Sequence, residues 1–119
     1  NLEAFQRDLE SRAVDDRVVT FSQSDFGRTP TINANGTDHG WGGHYFVMGT
    51  PVNGGQLIGE IPAFDVKTNK MLYNLSIPDI SVEQYASNLA EWFGLSASEI
   101  VEVFPGVVNF DDLDFGLFG

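Results

Sequence analysis

The middle of this chain constrains it most. From Ser22 to Gly43 neither a helical nor a strand period of apolar residues can be traced. Gly27, Pro30, Asn33, Asn35, Gly36, Gly40, Gly42 and Gly43 all fall within it. Glycine takes left-handed conformations without steric cost, proline fixes φ, and asparagine bonds its own backbone. The stretch therefore reads as a long irregular loop. Loops of that length inside a compact domain are uncommon, and they are functional more often than idle. The framework must come from the segments on either side.

Those segments read as helix and strand. Leu2, Phe5 and Leu9 recur at helical spacing with Glu3, Arg7, Asp8 and Glu10 on the other faces, which predicts an amphipathic helix ending between Ala13 and Asp16. The run Val18-Val19-Thr20-Phe21 follows without alternation, the habit of a strand covered on both faces in a parallel sheet. Tyr45 to Met48 predicts a second strand. Asn53-Gly54-Gly55 reads as a turn. Gln56 to Phe64 and Lys70 to Tyr73 predict short strands joined through Lys67-Thr68-Asn69. Ser81 three residues before Gln84 is a capping box. It opens a helix whose apolar face is Val82, Tyr85, Ala86, Leu89, Trp92 and Phe93, closed by Gly94. Ser96-Ala97-Ser98-Glu99 repeats the cap for a short helix through Val103, stopped by Pro105. Asp111 to Gly119 reads as a solvated acidic tail.

Helix feeding strand is an α/β signature. Strands that need cover on both faces call for more helices and neighbours than 119 residues supply, and an unpaired edge invites aggregation. Residues 1–119 are therefore expected to form one segment of a larger α/β sheet. The amphipathic, charged start lacks the apolar core of a signal peptide, and we expect a mature or truncated product. No apolar run approaches the ~20 residues of a membrane span.

Charge excludes whole classes of partner. Seventeen acidic residues against six Lys and Arg give a formal net charge of −11. Nucleic acid needs a basic surface that releases counterions, and anionic membranes attract basic segments. Neither fits. The absence of cysteine removes disulfides, thiolate metal sites and cysteine nucleophiles.

Chemistry concentrates in the central stretch. It holds His39, with Asp38 directly before it, and the other histidine, His44, follows at its end. Imidazole nitrogen with carboxylate oxygen suits zinc and other divalent metals. Adjacent Asp and His cannot face one point from a regular strand, because neighbours alternate, but a loop lifts that restriction. The alternative is structural: the histidines bond loop carbonyls and Asp38 makes an Asx turn. Arg28 lies just after the first strand, where open α/β sheets bind ligands, and its fork matches phosphate, sulfate or carboxylate. The alternative pairs it with Asp25. Ser22, Ser24, Thr29 and Thr37 lack a neighbouring base pattern and read as turn residues. Asn35-Gly36-Thr37 and Asn74-Leu75-Ser76 match the glycosylation sequon, a pattern common by chance.

Two segments carry a resemblance. Phe21 to Pro30 reads Phe-Ser-Gln-Ser-Asp-Phe-Gly-Arg-Thr-Pro, and Gly36 to Gly49 reads Gly-Thr-Asp-His-Gly-Trp-Gly-Gly-His-Tyr-Phe-Val-Met-Gly. Together with Ser81–Ala86, Ala90–Gly94 and Val103–Pro105, they resemble the C-terminal part of domain-of-unknown-function family 1501, a branch of the alkaline phosphatase and sulfatase-like superfamily. The resemblance covers about Leu2 to Phe110. It implies the C-terminal part of a parallel-rich α/β sandwich from an exported bacterial hydrolase of phosphate or sulfate esters. It also implies divalent metals (zinc, manganese, calcium or magnesium), with Asp38 and His39 on one ion and His44 on a second. Arg28 would bind the substrate anion. The superfamily's nucleophile lies in an N-terminal half outside this sequence, so the isolated chain is expected to be inactive. The rest of the same protein, or a partner chain, would cover the strands. Asp25 stands where the family usually has Glu. His44 sits nearer the Asp-His pair than the third ligand does in many superfamily members. The competing expectation is a catalytically inactive exported module for binding or surface assembly.

Overall fold

A computed structural model describes residues 1–61, 71–72 and 75–119. The chain divides into two units, one of Asn1–Phe21, Val47–Ile58 and Ile80–Gly119, the other of Ser22–Phe46 and Gly59–Asp79.

The first unit opens with helix α1 (Leu2–Ser11). The Asn1 side chain accepts the Ala4 N–H at 3.4 Å and caps it. Glu3–Arg7 and Asp8–Arg12 pair one turn apart at 2.5 and 2.9 Å on an exposed face, where such pairs add only a few tenths of a kcal/mol. Ala13 at φ +53° ends the helix, and a single 3-10 turn, Asp15–Arg17, leads on. Strand β1 (Thr20–Phe21) then pairs antiparallel with β4 (Val47–Met48), Thr20 opposite Met48. Helix α2 (Val82–Phe93) begins at the Ser81–Gln84 capping box and ends at Gly94, whose φ of +111° is open to glycine. Helix α3 (Ala97–Val103) starts with a second box between Ser96 and Glu99, and Pro105–Asn109 form a closing 3-10 turn. Leu9, Ile100, Val107 and Leu117 are the buried apolar side chains of this unit.

The buried face of α2 departs from the sequence pattern. Val82 and Phe93 are exposed, whereas Gln84, Ser87 and Asn88 are buried. The cause is the tail, which lies against the helix and brings backbone groups that need partners. Gln84 donates to the Asp112 carbonyl at 2.8 Å. Asn88 donates to the Leu113 carbonyl and accepts the Phe115 N–H. Leu117 is buried, Asn53 N–H donates to its carbonyl at 3.0 Å, and Phe118 stacks on Trp92 at 5.6 Å. The expected solvated tail is a docked strap.

The second unit is built on the hairpin of β2 (Gly27–Asn33) and β3 (Gly36–Gly40). Its register sets Gly27 opposite Gly40, Arg28 opposite His39, Ile32 opposite Thr37 and Asn33 opposite Gly36, with an irregularity between Arg28 and Ile32. The small hairpin of β5 (Met71–Leu72) and β6 (Leu75–Ser76) completes it, with β6 against β2.

Three expectations are corrected. The Ser22–Gly43 loop is largely a hairpin, because Asn33-Ala34-Asn35-Gly36 makes a tight turn between strands too polar to show alternation. The parallel sheet is replaced, among the described residues, by three two-stranded antiparallel sheets. The run Val18–Phe21 is too short to distinguish a doubly covered strand from a two-residue antiparallel one. Gln56 to Ile61 is not strand; the rest of that expectation and the Lys67-Thr68-Asn69 turn lie outside the described residues, as do Lys70 and Tyr73 flanking β5. The chain is thus a mixed helix-and-strand protein. No helix among the described residues is long and apolar enough to cross a membrane.

Candidate functional site

The β2–β3 hairpin gathers three of the four candidate residues. Arg28 and His39 are directly opposite across the ladder, so both side chains leave the same face. Phe26 joins them: His39 stacks on its ring at 3.5 Å between centroids and 12° between planes, and the Arg28 guanidinium lies 5.0 Å from the ring centre. A guanidinium near an aromatic ring gains cation–π attraction. One Arg28 nitrogen also donates to the Thr37 carbonyl at 2.7 Å, which fixes the side chain across the strands. Among the described residues no carboxylate forms an ion pair with Arg28, so the alternative pairing with Asp25 is not made. Both Arg28 and His39 are exposed.

Asp38 points the other way. It is the neighbour of His39 on a strand, and neighbours alternate. Its carboxylate accepts the Asn33 amide at 2.5 Å, and its backbone N–H donates to the hydroxyl of buried Thr29 at 3.1 Å. His44 lies beyond the end of β3 and is exposed.

Glycines make the hairpin tight. A Cβ on Gly27 would overlap the Gly42 carbonyl, and one on Gly42 would crowd Ser76 at 3.1 Å. These approaches hold the chain after β3 against the start of β2. Phe46 N–H donates to the Ser22 hydroxyl at 2.8 Å, and the Tyr45 hydroxyl donates to the Ser24 carbonyl at 3.0 Å.

The metal set implied by the resemblance can be tested against this geometry. Asp38 and His39 leave opposite faces of β3, and the Asp38 carboxylate is already engaged by Asn33. Among the described residues no group of three or more His, Asp or Glu side chains converges as a metal site would require. The arrangement within this chain does not fit one ion shared by Asp38 and His39.

Phe26, Asn33 and Thr29 escaped the reading of the sequence as positioning residues, although each holds a candidate residue in place. Two signals were present. Phe26 and Arg28 stand at the spacing that shares one strand face, and Asn35-Gly36 is a hairpin dipeptide.

The family described as "Protein of unknown function (DUF1501)" matches residues 1–91. The chain belongs to this family. No curated protein and no solved structure matches it. The DUF1501 match takes in the whole β2–β3 hairpin and all but the last two residues of α2. Residues 92–119 lie beyond the match, yet they supply Ile100, Val107 and Leu117, three of the four buried apolar side chains among the described residues.

Proposed function

We propose that the complete protein is an exported, metal-dependent hydrolase of phosphate or sulfate esters with an alkaline phosphatase-like fold. This chain contributes the hairpin with Arg28, Asp38 and His39, and His44 after it. One observation carries the reading: the register that pairs Arg28 with His39 sets a guanidinium and an imidazole side by side on one exposed face. Two N–H-bearing groups at that spacing suit the oxygens of a small tetrahedral anion, and guanidinium in particular grips oxyanions with two parallel bonds. In a chain of net charge −11, a small anion needs such a local exception.

Divalent metal enters as an expectation about the complete protein. Asp38 and His39 face apart, so ligands from elsewhere would complete each set, and no step is assigned to metal here. The isolated chain is expected to turn over neither phosphate nor sulfate monoesters.

The test uses the complete protein with generic phosphate and sulfate monoesters, alongside metal analysis. Arg28→Ala should raise KM roughly tenfold or more, since a bond to a charged group contributes about 1.5–3 kcal/mol. Absence of divalent metal together with unchanged turnover in His39→Ala and Arg28→Ala would overturn the reading. A second reading, a catalytically inactive exported module for binding or assembly, draws on the opposed Asp38 and His39 and on exposed Ile32 and Trp41 in the same unit. It expects normal assembly in His39→Ala and no esterase activity in the wild type.

A further inference from the structure

The sequence contains two Asn-Gly pairs, Asn35-Gly36 and Asn53-Gly54. Asparagine is thermolabile, and glycine after it leaves the following peptide nitrogen unshielded. The fold treats the two pairs differently. Asn53 is held at three points: its amide donates to the Gly116 carbonyl at 2.9 Å, its N–H donates to the Leu117 carbonyl at 3.0 Å, and its own carbonyl accepts the Gln56 amide at 2.8 Å. Asn35 is held through backbone alone: its N–H bonds the Asn33 side chain at 3.0 Å, and the next N–H, that of Gly36, closes the ladder on the Asn33 carbonyl. Among the described residues its side-chain amide has no hydrogen-bond partner. It is exposed at the hairpin tip, and beyond the adjoining residues no atom lies within 4 Å of where a Cβ on Gly36 would stand.

We propose that Asn35 is a site of spontaneous deamidation, selected over Asn53 by the fold. The Gly36 backbone nitrogen, losing its proton to solvent, bonds to the Asn35 side-chain carbonyl carbon. The bond from that carbon to Nδ2 breaks, and ammonia leaves with a proton from water. Water then opens the five-membered imide at either carbonyl, leaving an aspartyl residue or its isoaspartyl isomer in place of the asparagine. No oxidant or metal takes part. Ring closure at Asn35 releases one ladder bond of Gly36 at the exposed hairpin tip, whereas closing it at Asn53 takes the amide from Gly116 and disturbs the bonds to Leu117 and Gln56 as well.

The product matters to the hairpin. It adds one negative charge, and the isoaspartyl form reroutes the backbone through an extra carbon. The N–H that Asn35 gives to Asn33 then shifts, and Asn33 is the residue that holds Asp38. Should the hairpin bind an anion as proposed above, the new charge would weaken it; this consequence rests on that reading, whereas the modification itself does not.

The test is timed peptide mapping by mass, with chemical or enzymatic detection of isoaspartate, on the full chain at mildly alkaline pH. In the folded chain Asn35 should convert at least ~10-fold faster than Asn53, the scale of one or two net hydrogen bonds. In denaturant the two rates should converge, because the dipeptides are the same. Asn35→Gln should abolish the early product while leaving the slow one at Asn53. Equal rates in the folded chain, faster conversion at Asn53, or no conversion at Asn35 over a period in which the denatured chain converts would each overturn the proposal. None of these readouts involves activity, so failure here leaves the hydrolase reading standing.

Discussion

The two units cohere by different chemistry. The first, with α1, the β1–β4 pair, α2, α3 and the tail, buries Leu9, Ile100, Val107 and Leu117 and clasps its tail with Gln84 and Asn88. The second buries no large apolar side chain among the described residues; its buried side chains there are Thr29 and Ser76. It relies instead on ladder bonds, close glycine contacts and one ring stack. A unit held by side chains fails when a side chain is lost. A unit held by backbone approach fails when a side chain is added.

The sharpest way to break that contrast is Val107→Asp. Val107 is 1% exposed, the most buried apolar residue described. An unpaired carboxylate there should cost about 4 kcal/mol or more, because a buried charge without a partner pays its full desolvation. Thermal melting followed by the near-ultraviolet signal of Trp92 reads this directly. A loss below about 1 kcal/mol would show that residues 92–119 do not form the core described.

Asn88→Ala comes next. It strands the Leu113 carbonyl and the Phe115 N–H, and leaving buried polar groups unmet costs about 1–3 kcal/mol each. Amide exchange should accelerate across residues 112–118 ahead of the interior of α2. Uniform acceleration across both would show that the strap and the helix open as one body.

The second unit takes the opposite kind of change. Gly27→Ala adds one methyl group, but that methyl meets the Gly42 carbonyl, which is backbone and yields little. Overpacking of this sort costs about 1–3 kcal/mol. The ladder between Arg28 and His39 should lose protection first. An unchanged exchange pattern would mean that the close approach of Gly27 and Gly42 is not part of the fold in solution.

The same contrast explains what could be read beforehand. Both helix caps at Ser81 and Ser96 were legible because a cap is written within four residues. So were Gly94 as a terminator and the helical spacing of α1. The hairpin was hidden because Gly27, Thr29, Thr31, Asn33, Thr37 and Asp38 offer no apolar alternation, and its register comes from a turn and from glycine contacts distant in sequence. The polar seat of α2 was hidden because periodicity scores apolar residues, whereas the tail brings backbone groups that only amides satisfy. Of the candidate residues, Arg28 and His39 were identified as chemistry but not as a pair. Asp38 and His39 were identified as a pair but face apart, since a strand has replaced the expected loop.

The smallest expected effect belongs to the first unit and concerns a cap rather than the core. The Ser96 hydroxyl donates to the Glu99 carboxylate at 2.5 Å, and the Ser96 N–H donates to it at 2.8 Å. These bonds, the hydroxyl first and the backbone second, hold the Glu99 carboxyl below its usual range. A carboxyl depressed in the folded state binds its proton less readily there than in the unfolded chain. Its contribution is therefore complete above the ordinary carboxylate range and is lost as pH falls through the depressed folded value. Glu99 is fully solvent-exposed, so screening keeps the contribution small. Glu99→Gln keeps an acceptor in the capping box but removes the titrating charge. The melting temperatures of wild type and Glu99→Gln should differ slightly at neutral pH and converge in acid. A difference that persists unchanged through acid would place the role of Glu99 in its hydrogen-bonding shape rather than its charge. The capping box would then owe nothing to ionisation, like the backbone contacts that hold the second unit.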